Sequence, residues 1–251
     1  MPPRRSAQGR HKRLIVTADD VGLDRGMTTG AIEAHRSGIV TACSIVANGR
    51  EFDDAVTRLR DVPKLEVGVH LTLVEERALA TGKPMPGNWL RFLFSRPKNV
   101  EPELRAQIEK VIATGLRVTH LNGHQHLHML PAIRRVVERL GREYGIGYIR
   151  NVNDRGGKSR RVSMTILNAL GSDSPRTIGI AEAGHLTSDR LVALLDHVDG
   201  VTELVTHPGR DVRAYAHWRY DWETELHALC DPRVRERLSA LEIQLTAPSR
   251  L

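Results

Sequence analysis

The chain has 251 residues, a formal net charge of +7 and only two cysteines. Its length allows one large hydrophobic core, and no apolar run approaches the ~20 residues of a membrane-spanning helix. Cys43 and Cys230 form no C-x-x-C pair, so the sequence favours neither a disulfide framework nor a thiolate metal site. With a polar, basic N-terminus, these features favour a soluble cytoplasmic protein.

The positive charge is unevenly distributed. Basic residues are frequent before the first apolar run, and a second basic cluster extends from Arg155 to Arg161. Elsewhere, Arg and Lys are mixed with Asp and Glu, which is not the pattern of a single nucleic-acid-binding face. We therefore predict a disordered basic tail over residues 1–13, one folded domain over residues 14–251 and no nucleic-acid partner. The alternative is a docking surface for an anionic partner.

Strands and helices alternate in the first half of the chain. Residues 14–18 predict a buried strand that leads into a loop at Asp19-Asp20. A helix follows and ends near Gly38, and strands are predicted over residues 39–47 and 65–73. Asn48-Gly49 provides the turn after the first of these two strands.

The second half repeats this order after an interruption. Residues 81–102 are rich in Pro, Gly and aromatic residues and predict a long irregular insertion that walls a cleft. The elements predicted after it are a strand over 118–122, a helix from Pro131, a strand over 148–151, a helix capped by Thr187 or Ser188, and strands over 202–206 and 243–245. Repeated strand and helix order predicts an α/β fold with a parallel barrel or barrel-like sheet.

Polar residues collect where the predicted strands end. Adjacent carboxylates at Asp19 and Asp20 repel each other unless a cation or a proton lies beside them. A divalent ion resolves this repulsion, with one carboxylate as its ligand and the other outside the coordination shell as a base. His70 and His207 lie in or just after strands, whose carboxyl ends form the active-site edge of parallel folds. The alternatives are a helix-capping pair of aspartates and two structural histidines.

Histidines are concentrated at His124, His126 and His128. Neutral imidazole is the commonest protein ligand for zinc and similar ions, and such a dense cluster fits poorly in an apolar core. His124 and His128 would share one face on a helix and equally on a strand. We expect at least one of these histidines to bind a metal, and a polar strand end is the alternative.

Five short segments, taken in chain order, form a pattern that is more specific than any one of them alone. They are Leu14-Ile-Val-Thr-Ala-Asp-Asp-Val-Gly, Gly38-Ile-Val-Thr with Asn48-Gly, Val67-Gly-Val-His-Leu, Thr119-His-Leu-Asn-Gly-His-Gln-His-Leu-His and Thr202-Glu-Leu-Val-Thr-His-Pro-Gly. Together they resemble the YdjC-like (ChbG/HpnK) carbohydrate deacetylases. Two departures are Val21 where Phe is usual and Asn122-Gly123 where Asp-Ser is more common. The resemblance implies a single-domain (β/α) barrel-like fold of the glycoside hydrolase/deacetylase type.

The resemblance also implies the ligand set and the reaction. By position, Asp20, His70 and His124 would bind one divalent ion, Mg²⁺ or Zn²⁺, and Asp19 would be the general base. The reaction would be hydrolysis of the acetamide of an N-acetylated sugar in an oligosaccharide or a glycolipid. Phe92-Leu-Phe followed by Arg96-Pro97 is more similar to the hopanoid-associated branch, which favours a glycolipid.

Further roles are expected around this site. His207 is our candidate donor of a proton to the leaving amine, with His128 as the second candidate. We expect His126, His128 and Asn48 to contact the substrate or to support the metal ligands, and we consider a homodimer as the assembly.

Two rival functions stay open. One is another metal-assisted hydrolase, such as a phosphoesterase, and the other is a non-catalytic protein that binds carbohydrate or nucleic acid on the same scaffold. The sequence has no Walker-type loop, no G-x-G-x-x-G after a strand and no G-x-S-x-G elbow. A covalent serine or cysteine mechanism is therefore disfavoured.

Overall fold

A computed structural model describes residues 11–95, 99–154 and 175–251. The strands are β1 (Arg13–Val21), β2 (Ala42–Ile45), β3 (Glu66–Leu71), β4 (Val118–Gly123), β5 (Tyr148–Ile149), β6 (Arg176–Ile178), β7 (Val201–Thr206) and β8 (Gln244–Thr246). They form a parallel sheet in the order β5-β4-β3-β2-β1-β7-β6, and β8 also pairs with β1. This curled sheet with its helices confirms the predicted α/β barrel-like fold of a single domain.

Helices connect most of the strands. They are α1 (Arg25–Arg36), α2 (Phe52–Arg60), α3 (Trp89–Ser95), α4 (Glu101–Ala113), α5 (Pro131–Glu143), α6 (Ser188–Leu194), α7 (Trp222–Cys230) and α8 (Pro232–Ala240). The Thr187 side chain accepts the Arg190 N–H at the start of α6, and Pro131 occupies the first turn of α5, as predicted. Within the described ranges, no helix is long and apolar enough to cross a membrane.

The two faces of β1 bury different chemistry. Leu14, Val16 and Ala18 belong to the large apolar cluster that also contains helix side chains. The alternate residues Thr17 and Asp19 lie on the other face and make hydrogen bonds with charged residues that are distant in the sequence, Glu203 and Arg150. The inner face of the curved sheet therefore carries a polar layer directly below the strand ends.

His120 of β4 belongs to this inner layer and has no exposed surface. It lies opposite Gly68 in the β3–β4 register, where a Cβ atom would come within 2.4 Å of the imidazole. Glycine at position 68 is therefore needed for the close approach of the ring. Burial lowers the pKa of His120 to about 4, which keeps the ring neutral at pH 7.

Several predicted boundaries were wrong. The first strand was predicted to end before Asp19 and Asp20, but β1 continues through both aspartates to Val21. Residues 81–102 were predicted to be irregular, but they contain α3 and the start of α4. The basic cluster from Arg155 to Arg161 and residues 1–10 lie outside the described residues.

Candidate metal centre

Polar side chains predicted from the sequence meet at the carboxyl ends of the strands. Asp20 lies near the end of β1, His70 belongs to β3, and His124 follows β4. One candidate ligand atom from each of these residues lies within 4.8 Å of the others. His207 follows β7, and its Nε2 atom lies 4.0 Å from Asp20 Oδ2. The parallel sheet thus brings together residues that are far apart in the chain.

The two imidazoles meet at one oxygen of Asp20. His70 Nε2 lies 3.2 Å from Asp20 Oδ1, and His124 Nδ1 lies 3.1 Å from the same oxygen. Asp20 is buried and has a left-handed backbone, with φ of 65°. Because that conformation costs a non-glycine residue about 1 kcal/mol, the surrounding structure must hold Asp20 in place.

The electrostatics of this cluster favour a cation. Burial would raise the pKa of Asp20, but the adjacent imidazoles of His124 and His70 lower it well below its ordinary value. Burial would lower the pKa of His124, whereas the carboxylates of Asp20 and Glu75 raise it to about 10. The His124 ring therefore keeps a second proton in the metal-free protein. Its positive charge takes the place of the charge that a divalent ion would supply. One carboxylate and two imidazoles form a donor set that suits Zn²⁺, and also Mg²⁺ with water completing the shell.

Asp19 lies outside this ligand cluster and is held by a different set of donors. Arg150 Nη1 donates to Asp19 Oδ2 at 2.5 Å, and Arg150 Nη2 donates to Oδ1 at 2.9 Å. Oδ1 also accepts hydrogen bonds from Ser44 Oγ at 2.6 Å and from Asn122 Nδ2 at 2.9 Å. Burial would raise the pKa of Asp19, but the Arg150 guanidinium brings it below its ordinary range. Asp19 is therefore a fixed anion at neutral pH.

Arg150 is a functional candidate that the sequence reasoning missed. Its guanidinium has no exposed surface and also donates to Glu203 Oε1 from Nε at 3.0 Å and from Nη2 at 2.8 Å. Glu203 accepts further hydrogen bonds from Thr17 Oγ1 and Tyr148 Oη, each at 2.7 Å. The available signal was Glu203, the one charged residue of the predicted buried strand over residues 202–206, because a buried charge requires a partner.

Asn122 connects the two halves of the site. The sequence marked it only as a departure from the usual aspartate. Its Oδ1 accepts from His70 Nδ1 at 2.7 Å, while its Nδ2 donates to Asp19 and to Ser44. An amide can accept and donate at once, so Asn122 orients the His70 ring and the Asp19 carboxylate together.

His207 lies near the other oxygen of the Asp20 carboxylate, Oδ2. Its backbone N–H donates to Glu225 Oε2 at 2.6 Å, and its Nδ1 lies 4.0 Å from the same oxygen. The Tyr220 ring packs edge-on against it, with centroids 5.4 Å apart. Burial raises the pKa of Glu225, which the sequence analysis did not single out. The strand end and α7 therefore fix His207 beside the candidate ligands.

The remaining predicted residues, His126, His128 and Asn48, lie outside the ligand cluster. Residues His124–Met129 form a 3-10 turn with left-handed backbone at Gln125 and His126, so neither the helix nor the strand considered for this segment is present. His126 is half-buried as a residue, but its ring atom Nδ1 is buried, and burial lowers the pKa of the ring to about 3. His128 is buried, with Nε2 3.2 Å from the Arg150 carbonyl oxygen. Asn48 donates to the Arg77 carbonyl oxygen at 3.0 Å.

Aromatic and apolar side chains form the rim of the site. The Trp218 ring stacks on His124, with centroids 5.2 Å apart. On another side, the N–H of Trp89 at the start of α3 donates to Gln125 Oε1 at 2.8 Å. Helix α3 exposes Trp89, Leu90, Leu93 and Phe94. Because the first residue of α3 is hydrogen-bonded to the residue after His124, this exposed apolar helix begins close to one candidate ligand.

The chain is similar to known proteins over most of its length. A family model described as YdjC-like protein matches residues 13–240. A carbohydrate deacetylase of Brevibacillus brevis is 31% identical over 252 residues, covering 95% of this chain and 99% of that protein. A carbohydrate deacetylase of Geobacillus stearothermophilus is 32% identical over 246 residues, covering 92% of this chain and 94% of that protein.

Two solved structures share the fold. One is from Enterococcus faecalis V583 and is named for cellobiose-phosphate cleavage; it has a TM-score of 0.76 and 23% identity and covers 96% of this chain and 98% of its own. The other is a family 4 carbohydrate esterase from Streptomyces lividans in complex with acetate, with a TM-score of 0.52 and 11% identity over 96% of this chain and 95% of that one. At these identities the similarity extends to the fold alone.

Proposed function

Because the chain belongs to the YdjC-like protein family, we propose that it is a metal-dependent hydrolase that removes the acetyl group from an N-acetylated sugar. One observation carries the proposal: Asp19, fixed by a buried arginine, lies beside the cluster of Asp20, His70 and His124. A site that contains both a cation-binding cluster and a separate anchored carboxylate has the parts that amide hydrolysis needs.

Each residue has one task in the proposed reaction. Asp20, His70 and His124 would hold the ion, which when bound supplies a Lewis acid for the acetyl carbonyl and for a water molecule. Asp19 accepts the proton of the attacking water. Among the described residues, its Oδ1 already accepts three hydrogen bonds and its Oδ2 accepts one, so Oδ2 is the oxygen with room for that proton. Arg150 keeps the carboxylate in this orientation.

The leaving amine needs a proton from the other side. His207 is our donor because it lies at the strand end, 4.0 Å from the Asp20 carboxylate, with its backbone fixed by Glu225. We assign His128 a supporting role, since its Nε2 contacts the Arg150 carbonyl oxygen. His126 and Asn48 would contact the sugar or support the ligands. An acetamide is favoured over a phosphoester by the two relatives named carbohydrate deacetylases.

The apolar face of α3 favours a glycolipid substrate over a free oligosaccharide. Phe94 is 79% exposed, and Leu90 and Leu93 are exposed on the same short helix. Because α3 is tied to Gln125, next to His124, an apolar aglycone on this face would leave the sugar at the metal centre. Burial of each CH₂ group contributes ~0.8 kcal/mol, so two buried methylenes are worth roughly tenfold in kcat/KM.

The first experiment tests the reaction. The protein is stripped with a chelator, reloaded with Zn²⁺ or Mg²⁺, and assayed for released acetate on N-acetylated oligosaccharides and glycolipids and for released phosphate on phosphoesters. We expect acetate release that disappears after stripping and in Asp20→Asn. Release of phosphate alone, or tight sugar binding without turnover, would contradict the proposal and support one of the rivals.

A second experiment tests the substrate class. Octyl and methyl glycosides of N-acetylglucosamine are compared on the wild type, on Phe94→Ser and on Ile112→Ser, which changes an exposed apolar residue of α4. We expect a preference for the octyl glycoside that only Phe94→Ser reduces. Equal turnover of both glycosides by the wild type would favour a free oligosaccharide.

A further inference from the structure

Two histidines of the candidate metal centre present different nitrogens to Asp20. His70 directs Nε2 to Asp20 Oδ1, and His124 directs Nδ1 to the same oxygen. In each ring the second nitrogen faces away from Asp20. The residues that contact those second nitrogens decide where each ring keeps its proton, because a ligating nitrogen must be unprotonated.

The second nitrogens have different partners. His70 Nδ1 donates to the amide oxygen of Asn122 at 2.7 Å. His124 Nε2 lies 3.3 Å from Oε2 of Glu75, a residue that follows β3. Gln125 donates from Nε2 to the other oxygen of Glu75 at 2.9 Å, which fixes the carboxylate plane beside the His124 ring.

The backbone of Glu75 is arranged for this contact. Its φ is 69°, in the left-handed region that costs a non-glycine residue about 1 kcal/mol. Its N–H donates to the Pro86 carbonyl oxygen at 2.8 Å, which anchors it to the following loop. A strained residue whose carboxylate reaches a candidate metal ligand fits a positioning role better than a structural one.

We propose that Glu75 is the positioning residue for His124: it keeps the proton on Nε2, so that His124 binds the ion through Nδ1 while His70 binds through Nε2. This inference rests on the proposed metal site. A carboxylate behind a ligating histidine fixes the ring and raises its basicity, and loss of such a group typically weakens metal binding by about 10- to 100-fold.

The test measures metal affinity directly. The dissociation constant for Zn²⁺ is determined by chelator competition for the wild type, Glu75→Gln and Glu75→Asn. Asn tolerates a left-handed backbone better than Glu but is one methylene too short to reach His124. We expect Glu75→Asn to bind Zn²⁺ about 10- to 100-fold more weakly while its metal-free form unfolds at the same or a higher urea concentration. Glu75→Gln retains a hydrogen-bond acceptor but no charge, so its affinity for Zn²⁺ should lie between those of Glu75→Asn and the wild type.

The matched control is Glu76→Gln, which removes the same charge one residue away. Glu76 Oε1 accepts from Tyr215 Oη at 2.7 Å, so its carboxylate is directed to a residue outside the ligand cluster. We expect this variant to bind Zn²⁺ within about threefold of the wild type, since the half-buried Glu76 carboxylate is hydrogen-bonded to Tyr215 and not to a candidate ligand. If Glu75→Gln and Glu76→Gln lost Zn²⁺ affinity equally, the loss would be explained by the change in net charge alone. That result would overturn the inference.

A nitrogen-15 spectrum of the Zn²⁺-loaded protein gives an independent readout. Long-range couplings distinguish a ring that is protonated on Nε2 from one protonated on Nδ1. We expect the first pattern for His124 and the second for His70. A wild-type protein that binds no ion would overturn the metal site and this inference together. A wild type that binds the ion with both rings ligating through Nε2, or a Glu75→Asn variant that binds as tightly, would overturn this inference alone.

Discussion

Replacement of Arg150 by methionine would leave two buried carboxylates without their cation. Asp19 and Glu203 are 2% and 0% exposed, and both accept hydrogen bonds from the same guanidinium. Removal of one member of a buried ion pair costs ~3–5 kcal/mol. Because Arg150 serves two anions, we expect Arg150→Met to lose about 5 kcal/mol, a large part of a typical total stability of ~5–15 kcal/mol.

Urea denaturation of the metal-free protein at pH 7 measures this loss. The control is Arg139→Met, which breaks an exposed ion pair with Glu101 and should cost less than about 1 kcal/mol. If the loss of stability is caused by two buried carboxylates that have no cation, their replacement by amides should reverse it. The triple variant Asp19→Asn/Arg150→Met/Glu203→Gln should then recover at least half of the lost stability. A single variant no worse than Arg139→Met, or a triple variant no better than the single one, would refute this account.

Three further predictions concern the site and its surroundings. Asp19→Asn should lower turnover by ~100- to 10,000-fold and keep its metal content, whereas Asp20→Asn should lose the metal. If elemental analysis showed the opposite pattern, Asp19 would be the metal ligand and Asp20 the general base. Because the pKa of folded His120 is about 4, below its unfolded value, the unfolded chain binds more protons as the pH falls, and stability is lost below pH ~6.5. Between pH 7 and 5 the wild type should therefore lose about 2 kcal/mol more than His120→Asn, whose packing cost is the same at both pH values; equal losses in urea titrations would contradict burial as the cause. Deletion of residues through Gln8 should leave turnover of a small soluble substrate nearly unchanged, and a large fall with an intact fold would place the tail in the site.

The sequence predicted the strands and their polar ends because both depend on local pattern. Alternation and apolar runs located β1, β3, β4 and β7 to within a few residues. In a parallel sheet the carboxyl ends of such strands share one edge, so the proximity of Asp20, His70 and His124 followed from topology.

Long-range pairing was beyond the same reasoning. Arg150 and Asp19 are 131 positions apart, and no local sequence motif predicts that they are in contact. The left-handed residues Glu75 and Gln125 were also missed, since no sequence pattern marks a non-glycine residue held at positive φ by its surroundings. Cytoplasmic location, a homodimer and the identity of the metal and the sugar stay predictions.

The backbone at the site has a consequence for directed evolution. Four of the seven non-glycine residues with positive φ in the described part of the chain are Asp20, Glu75, Gln125 and His126. At each of them glycine, and at the last three also asparagine, would relieve about 1 kcal/mol of backbone strain. A library screened only for heat resistance will therefore be enriched in substitutions that dismantle the metal centre, and thermostable variants that retain turnover require selection for both properties at every round.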